Sequence, residues 1–437
     1  MVKKIYIYLF IVILYSSCTS SSIPKTAISK NTTLITTKPV KKKNILKEAK
    51  PLLYERESFG LKPLSTSYNS KDTIRLVSSK ETLIYKNGNS IESKSLDEKI
   101  GNMLMVGFFG TSVSKNSQIC KDIYRYNLGG VILFDYNPID KSKPKNISSK
   151  TQLKKLTAQL KACSRDGKLL IAVDQEGGRV QRLKSRYGFY GKFPKPRDIV
   201  KYSDSKVRAI YEQMARELSE VGINYDLAPV VDLAVNRKNR VIYRLGRSFG
   251  KNPEKVAHYA SIFIDAMQKY NIITSLKHFP GHGSSLGDTH KGFVDVTKFW
   301  TPKELEPYRI LNEIGKIDTV MVAHVFNRKI DPKYPATLSK KTVTGLLRNK
   351  IGFSGVVITD DLQMGAITKH FSLREVLRLS INAGDNILLF GNQLSPRNIV
   401  SVEELVETIK DLIEEGSVDI DLIEKSNLKI DELKGRI

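Results

Sequence analysis

Three of the chain's six histidines fall within thirteen residues, in Lys277-His278-Phe279-Pro280-Gly281-His282-Gly283 and then Asp288-Thr289-His290. Histidine is the side chain whose ordinary pKa lies nearest neutrality, and a carboxylate two residues away can orient the ring and stabilise its charged form. Acid/base catalysis is the chemistry that suits such a stretch. The i, i+4 spacing of His278 and His282 also matches a zinc site on a helix, but Pro280 between them and glycines at 281 and 283 break helices. No metal is therefore expected there. The glycines read instead as chain bending in open loop after a strand. His282 serves equally well as a hydrogen-bonded structural residue.

Residues of this kind need a rigid mount, and the rest of the chain supplies a repeating one. From about Leu96 onward short apolar runs alternate with helical patterns: Met103-Val106, Gly130-Phe134, Leu169-Val173, Tyr225-Val231, Thr274-Phe279, Thr319-Ala323, Val356-Thr359 and Asn386-Phe390. Near-continuous β-branched and apolar segments of strand length are what parallel strands covered on both faces require. Between them, 205–221, 253–270 and 373–383 carry helical spacing. Thr301, Pro302 and Glu304 predict a capping box at the start of another helix. Eight strand and helix pairs predict an α/β fold, a TIM-type (β/α)8 barrel, with its chemistry at the C-terminal ends of the strands. Five of those ends carry a charged residue or a histidine: Asp174, Asp232, Lys277 with His278, His324, and Asp360 with Asp361. A charge directly after a buried run is costly unless it is paired or opens into a cleft.

Four motifs in this order resemble glycoside hydrolase family 3, in its bacterial β-N-acetylglucosaminidase (β-N-acetylhexosaminidase) branch. They are Asp174-Gln175-Glu176-Gly177-Gly178-Arg179-Val180-Gln181-Arg182, Arg247-Ser248-Phe249, the stretch from Lys277 to His290, and Ile358-Thr359-Asp360-Asp361-Leu362-Gln363-Met364. The resemblance runs from about Leu96 to Gly391 or beyond. It implies a retaining exo-acting enzyme that takes terminal N-acetylglucosamine from cell-wall fragments and needs no cofactor.

By the same resemblance Asp360 is the nucleophile that forms a covalent glycosyl ester, with Asp361 as its rival, whose other role would be to cap the following turn. The acid/base is His290 on a mobile loop, paired with Asp288, which accepts its hydrogen bond and favours the imidazolium. Asp174, Arg182, Arg247, Lys277 and His278 are expected to hold the sugar hydroxyls and the N-acetyl group, although Asp174 with Arg182 also fits a structural ion pair. Arg179 and Glu176 read as supports, and His324 as a residue lining the site. Other reactions in the same barrel stay open, a β-glucosidase or a phosphorylase in which phosphate replaces water. So does a non-catalytic wall-binding lipoprotein, against which the intact Asp360, Asp288 and His290 argue. The remainder after Gly391 is too short for the second α/β domain that many β-glucosidases of the family add.

The ends of the chain concern location. Lys3 and Lys4 precede an apolar run from Ile5 to Tyr15, the layout of a secretory signal and too short to span a bilayer comfortably. Leu14-Tyr15-Ser16-Ser17-Cys18 resembles a bacterial lipoprotein signal, with Tyr15 where that pattern has a small aliphatic residue. Export is expected, with lipidation of Cys18 set against a plain secretory signal or an uncleaved anchor. From Thr19 to Lys50 there are eight lysines and one acidic residue, a composition that cannot bury a core. Residues 1–17 thus read as signal, 18–95 as a Lys/Ser/Thr-rich tether and 96–437 as one catalytic barrel. Cys120 and Cys163 remain as an even pair, either bonded or as two buried free thiols. The net charge of +26 suits a partner bearing carboxylates or phosphates, such as cell wall or an anionic membrane surface, and equally a solvated lysine-rich surface. No nucleic-acid module accompanies it.

Overall fold

The computed structural model describes residues 94–394 and 399–437. The expected signal segment, Cys18 and the tether up to residue 93 lie outside the described residues. Among the described residues no helix is long and apolar enough to cross a membrane.

Ten strands follow in chain order: β1 (Leu104–Gly107), β2 (Gly130–Ile132), β3 (Leu170–Val173), β4 (Tyr225–Asp226), β5 (Ile273–Phe279), β6 (Val294–Asp295), β7 (Thr319–Val322), β8 (Val325–Phe326), β9 (Val356–Thr359) and β10 (Leu388–Phe390). Eight of them form one parallel sheet in the order β10-β1-β2-β3-β4-β5-β7-β9. The sheet closes where the Thr359 N–H donates to the Ile387 carbonyl at 3.0 Å and Ile358 bridges Ile387 in parallel. This is the expected (β/α)8 barrel, and all eight apolar runs contribute a strand to it. Every residue of β1, β2, β3, β5, β7, β9 and β10 is buried, as strands lined on one face by the barrel interior and on the other by helices must be.

The helices Asp204–Glu220, Pro253–Gln268 and Leu373–Ala383 match the spacing that predicted them. Helix Leu96–Asn102 enters the barrel under a true capping box, Ser95 with Glu98, and is tied to the last helix, Ile420–Lys434, through Asn102 to Asn427 at 2.9 Å and Lys99 to Glu424 at 2.7 Å. Cys120 and Cys163 form a disulfide, which decides between the bond and two free thiols. It joins the neighbouring helices Gln118–Tyr126 and Lys150–Cys163.

Two local expectations need correction, and one pairing had no counterpart in the sequence reading. The run from Tyr225 to Val231 is a strand only over Tyr225–Asp226, because Pro229 has no N–H to give to a ladder. Beyond it the chain keeps to β5 by separate bonds, Lys277 N–H to the Pro229 carbonyl and Val231 N–H to the Lys277 carbonyl. The capping box at Thr301 does not form: Thr301 makes no side-chain cap, the turn Pro302–Leu305 is a 3-10 helix, and Glu304 is buried beneath the histidine stretch, where one oxygen accepts from the Ser284 N–H at 3.2 Å. Finally, β6 pairs with β8 outside the barrel. This two-residue ladder fastens the chain just after His290 to the chain just after His324.

Candidate active site

The nine residues from Asp174 to Arg182 fold back on themselves at the end of β3. Gly177 and Gly178 take φ of +91° and +63°, left-handed backbone that a side chain disfavours, so that Gly177 can bridge Val180 in an antiparallel turn. The Gln175 side chain then accepts the Arg182 N–H at 2.8 Å, and the Arg182 guanidinium lands on Asp174 Oδ2 at 2.9 Å. Lys277 enters from β5 between two carboxylates, 2.8 Å from Asp174 Oδ1 and 2.8 Å from Glu176 Oε1. Arg247 grips Glu176 with a two-pronged fork, both bonds 2.7 Å. Its Nη2 also lies 3.4 Å from His278 Nε2, and His278 Nδ1 sits 2.6 Å from Asp232 Oδ2.

The result is a chain of alternating charge in which Arg182, Lys277 and Arg247 are matched by Asp174, Glu176 and Asp232. Burial alone would push these carboxyls up. Lys277 and Arg182 hold Asp174 far below the ordinary range instead, and Arg247 with Lys277 bring Glu176 down to about 2. The pairing of Asp174 with Arg182, read from the sequence either as sugar contact or as ion pair, is an ion pair at the wall of an open cavity, where both side chains keep a partly exposed face. Glu176, expected as a support, is buried beneath them. Arg179 is exposed and takes no part.

Asp360 and Asp361 follow β9 directly. The Asp361 N–H donates to Asp360 Oδ1 at 2.8 Å, fixing that carboxylate against its own backbone. Burial raises Asp360, but the facing rings of His324, His278 and His290 and this N–H outweigh it and hold the carboxyl below its ordinary value. Asp361 goes the other way, pushed by burial up to about 6, and one of its oxygens accepts the N–H groups of Gln363 (3.0 Å) and Gly391 (3.1 Å). Two adjacent carboxyls are thus set apart, one poised as an anion and the other occupied in shaping the turn.

The loop bearing Asp288 and His290 is fastened over the same cavity. His290 Nδ1 is 2.9 Å from Asp288 Oδ1, so the Nδ1–H faces the carboxylate and Nε2 has no protein partner among the described residues. Burial would raise Asp288, but the His290 hydrogen bonds and charge hold it lower. The Ala366 N–H donates to the Thr289 carbonyl at 3.0 Å, which docks the loop on the segment that follows Asp360. Asp174, Arg247, His278, Asp288, His290 and Asp360 all line one cavity of about 440 Å3, the size of a small-molecule site. Lys277 and Arg182 line it as well, so the eight residues assigned from the sequence to catalysis and sugar binding are brought together.

His324 is corrected: it does not line the cavity. It is buried, with Nδ1 2.8 Å from the Thr337 hydroxyl and Nε2 2.9 Å from the Asp361 carbonyl, so it steadies the backbone beside Asp360. His282 lines the cavity too but is buried, with Nδ1 2.7 Å from Ser285 Oγ, and is pushed by burial down to about 4. Among the described residues no cluster of His, Cys, Asp or Glu is arranged to hold a metal. Sequence reasoning noted Asp232 as a strand-end carboxylate but gave it no task. Beyond His278, it accepts the His282 N–H at 2.7 Å.

The sequence profile of the glycosyl hydrolase family 3 N-terminal domain matches residues 95–433. The chain belongs to glycosyl hydrolase family 3. It is 33% identical over 303 residues to the beta-hexosaminidase of Nitrosomonas eutropha, a match that covers 66% of this chain and 80% of that one. Among solved structures, a family 3 beta-N-acetylglucosaminidase from Paenibacillus sp. aligns with a TM-score of 0.69 at 29% identity, over 79% of this chain and 63% of that chain. The beta-N-acetylhexosaminidase of Beutenbergia cavernae aligns with a TM-score of 0.68 at 26% identity, over 78% of this chain and 99% of that chain. The barrel and the cleft at its strand ends are therefore those of a family 3 glycoside hydrolase.

Proposed function

We propose that this glycoside hydrolase is a retaining exo-β-N-acetylhexosaminidase that removes terminal N-acetylglucosamine from cell-wall fragments. The observation that carries the reading is that an ionised carboxylate on a rigid strand end, Asp360, and a carboxylate-paired histidine, His290, line one cavity. Asp360 attacks the anomeric carbon and forms a glycosyl ester while the His290 imidazolium gives its proton to the departing oxygen. The imidazole then takes a proton from water, whose oxygen attacks the same carbon and releases Asp360. Asp288 keeps the Nδ1–H in place so that Nε2 faces the reaction. Arg182, Lys277, Arg247 and His278, each held by a carboxylate, present donors to the sugar hydroxyls and the N-acetyl group. The names of the relatives support hexosaminide over glucoside.

The experiment compares His290→Ala with Asp360→Ala on two leaving groups. His290→Ala loses most turnover on an alkyl N-acetylglucosaminide, which needs a proton, and keeps much of its glycosylation rate on a dinitrophenyl one, which needs none. Asp360→Ala loses both. Equal loss on both substrates in His290→Ala removes the histidine from the acid role, and a first-formed α-anomer by proton NMR removes Asp360 as nucleophile. Runs with β-glucoside and with added phosphate test the glucosidase and phosphorylase alternatives. We further propose that the chain is exported and anchored through a lipid on Cys18. Cell fractionation of Cys18→Ser checks this, and undiminished membrane association overturns it.

A further inference from the structure

Among the described residues that line the catalytic cavity, three are exposed: Tyr136, His290 and Leu394. Lys277, His278, Arg182 and Arg247, the donors given to the terminal sugar, are buried or half-buried. The cavity therefore has a charged floor and an open mouth, and His290 stands at the mouth. A departing oxygen must lie against His290 Nε2 to receive its proton, so the group that leaves lies among the residues that share the mouth with the acid. Those residues are apolar. Tyr136 is 47% exposed and Leu394 42%, and the Tyr136 ring makes no aromatic or cation-π contact among the described residues. The backbone beneath the ring is fixed all the same. Asp135, buried, accepts from Lys184 at 2.5 Å and from Arg186 at 3.2 Å, and Asn137 Oδ1 accepts the N–H groups of Ile139 at 2.9 Å and Asp140 at 3.1 Å. Gln393 Nε2 donates to the Tyr136 carbonyl at 2.8 Å, which ties the loop after β2 to the loop after β10 that carries Leu394. An aromatic ring on a fixed loop offers a broad flat contact that loses little freedom when it is covered. A pyranose suits it: the ring lays its flat C–H face on the aromatic while its hydroxyls stay in the water of the open mouth.

We propose that Tyr136, together with Leu394, is the platform on which the sugar ring on the leaving side of the cleaved bond stacks, and that it sets the preference for a sugar over a small alcohol as leaving group. The inference rests on the hexosaminidase reading and on His290 as its acid. The test uses the full chain and two substrates, methyl β-N-acetylglucosaminide and the β-linked disaccharide of N-acetylglucosamine. Both leave as alcohols and ask the same proton of His290, but only the disaccharide has a ring to stack. The quantity read is the ratio of kcat/KM for the disaccharide to kcat/KM for the methyl glycoside, which cancels any loss of folded enzyme. Tyr136→Ala is expected to lower this ratio about tenfold, chiefly through KM of the disaccharide, and Leu394→Ala about threefold. Tyr136→Phe keeps the ring face and is expected to stay within about twofold of the parent. An unchanged ratio in Tyr136→Ala overturns the proposal. So does a Tyr136→Phe ratio as low as that of Tyr136→Ala, for the hydroxyl and not the ring face would then hold the leaving group. Failure of the parent to hydrolyse either substrate would refute the hexosaminidase reading itself, and this inference with it.

Discussion

Glu176 is 2% exposed at the wall of the cavity and supports two of the cations that line it, so Glu176→Gln is a sharp test of the charge chain. The substitution keeps size and shape and removes one charge from a set of three anions and three cations, leaving Arg247 and Lys277 to share one fewer carboxylate. The carboxyl stands at about 2 in the folded chain against an ordinary 4.5. With about 1.4 kcal/mol for each tenfold change in proton affinity, that difference is worth about 3 kcal/mol of folding stability. Breaking a buried ion pair from one side costs about 3 to 5 kcal/mol, which agrees. Because the folded pKa is depressed, the stabilisation is present in full above pH 4.5 and is lost as pH falls from there towards 2. Urea unfolding of the two proteins should therefore show Glu176→Gln about 3 kcal/mol less stable at pH 7, with the gap narrowing below pH 4.5. Loss of the fork should also let Arg247 drift and weaken substrate capture. A variant as stable as the parent at pH 7 but inactive would refute the reasoning, for it would mean that Glu176 acts on the substrate and not on the two cations.

Three further outcomes follow from the same structure. Glu304, buried and raised to about 7 with one oxygen lacking a partner among the described residues, destabilises the fold as it ionises, so Glu304→Gln should match the parent below pH 4.5, gain on it between pH 4.5 and about 7 and hold a constant lead above that, as thermal melts across pH would show. Asp232→Asn turns an amide towards His278 Nδ1 and should cut kcat/KM roughly 10- to 100-fold with the fold retained by circular dichroism; an unchanged kcat/KM would remove Asp232 from the positioning of His278. Replacing Cys120 and Cys163 together by serine opens a loop closed across 43 residues and should lower stability by up to about 4 kcal/mol in denaturant while leaving kcat unchanged, and a fall in kcat would tie the disulfide to the cleft.

The barrel was legible because its strands are buried on both faces, and continuous apolar runs such as Leu170–Val173 have no other use at that length. What the sequence hid was set by partners far along the chain. Thr301 and Glu304 satisfy the local pattern of a capping box, but the backbone N–H of Ser284, twenty residues away, draws the Glu304 side chain inward, and tertiary demand overrides local preference. Asp232 could be seen as an unusual charge after an apolar run. Its task depends on His278, forty-six residues on, and no spacing rule reaches that far. The ladder of β6 and β8 is two residues long, below any period, although it fastens the loop that carries His290.

Arg182, His290 and Asp360 were legible for the opposite reason: each is held by a partner close by in sequence. Gly177 and Gly178 turn the chain so that Arg182 meets Asp174 eight residues back, Asp288 holds His290 two residues on, and the Asp361 N–H holds Asp360. For the nucleophile role proposed for Asp360, a flexible partner would leave the charge state unfixed, and here the hydrogen bond comes from the next peptide, which cannot leave. Local closure of this kind makes the motifs short and recognisable. The barrel then adds what the motifs cannot, placing Lys277 between Asp174 and Glu176 and Arg247 across Glu176, so that the cations lining the cavity are already paired and their donors pre-organised.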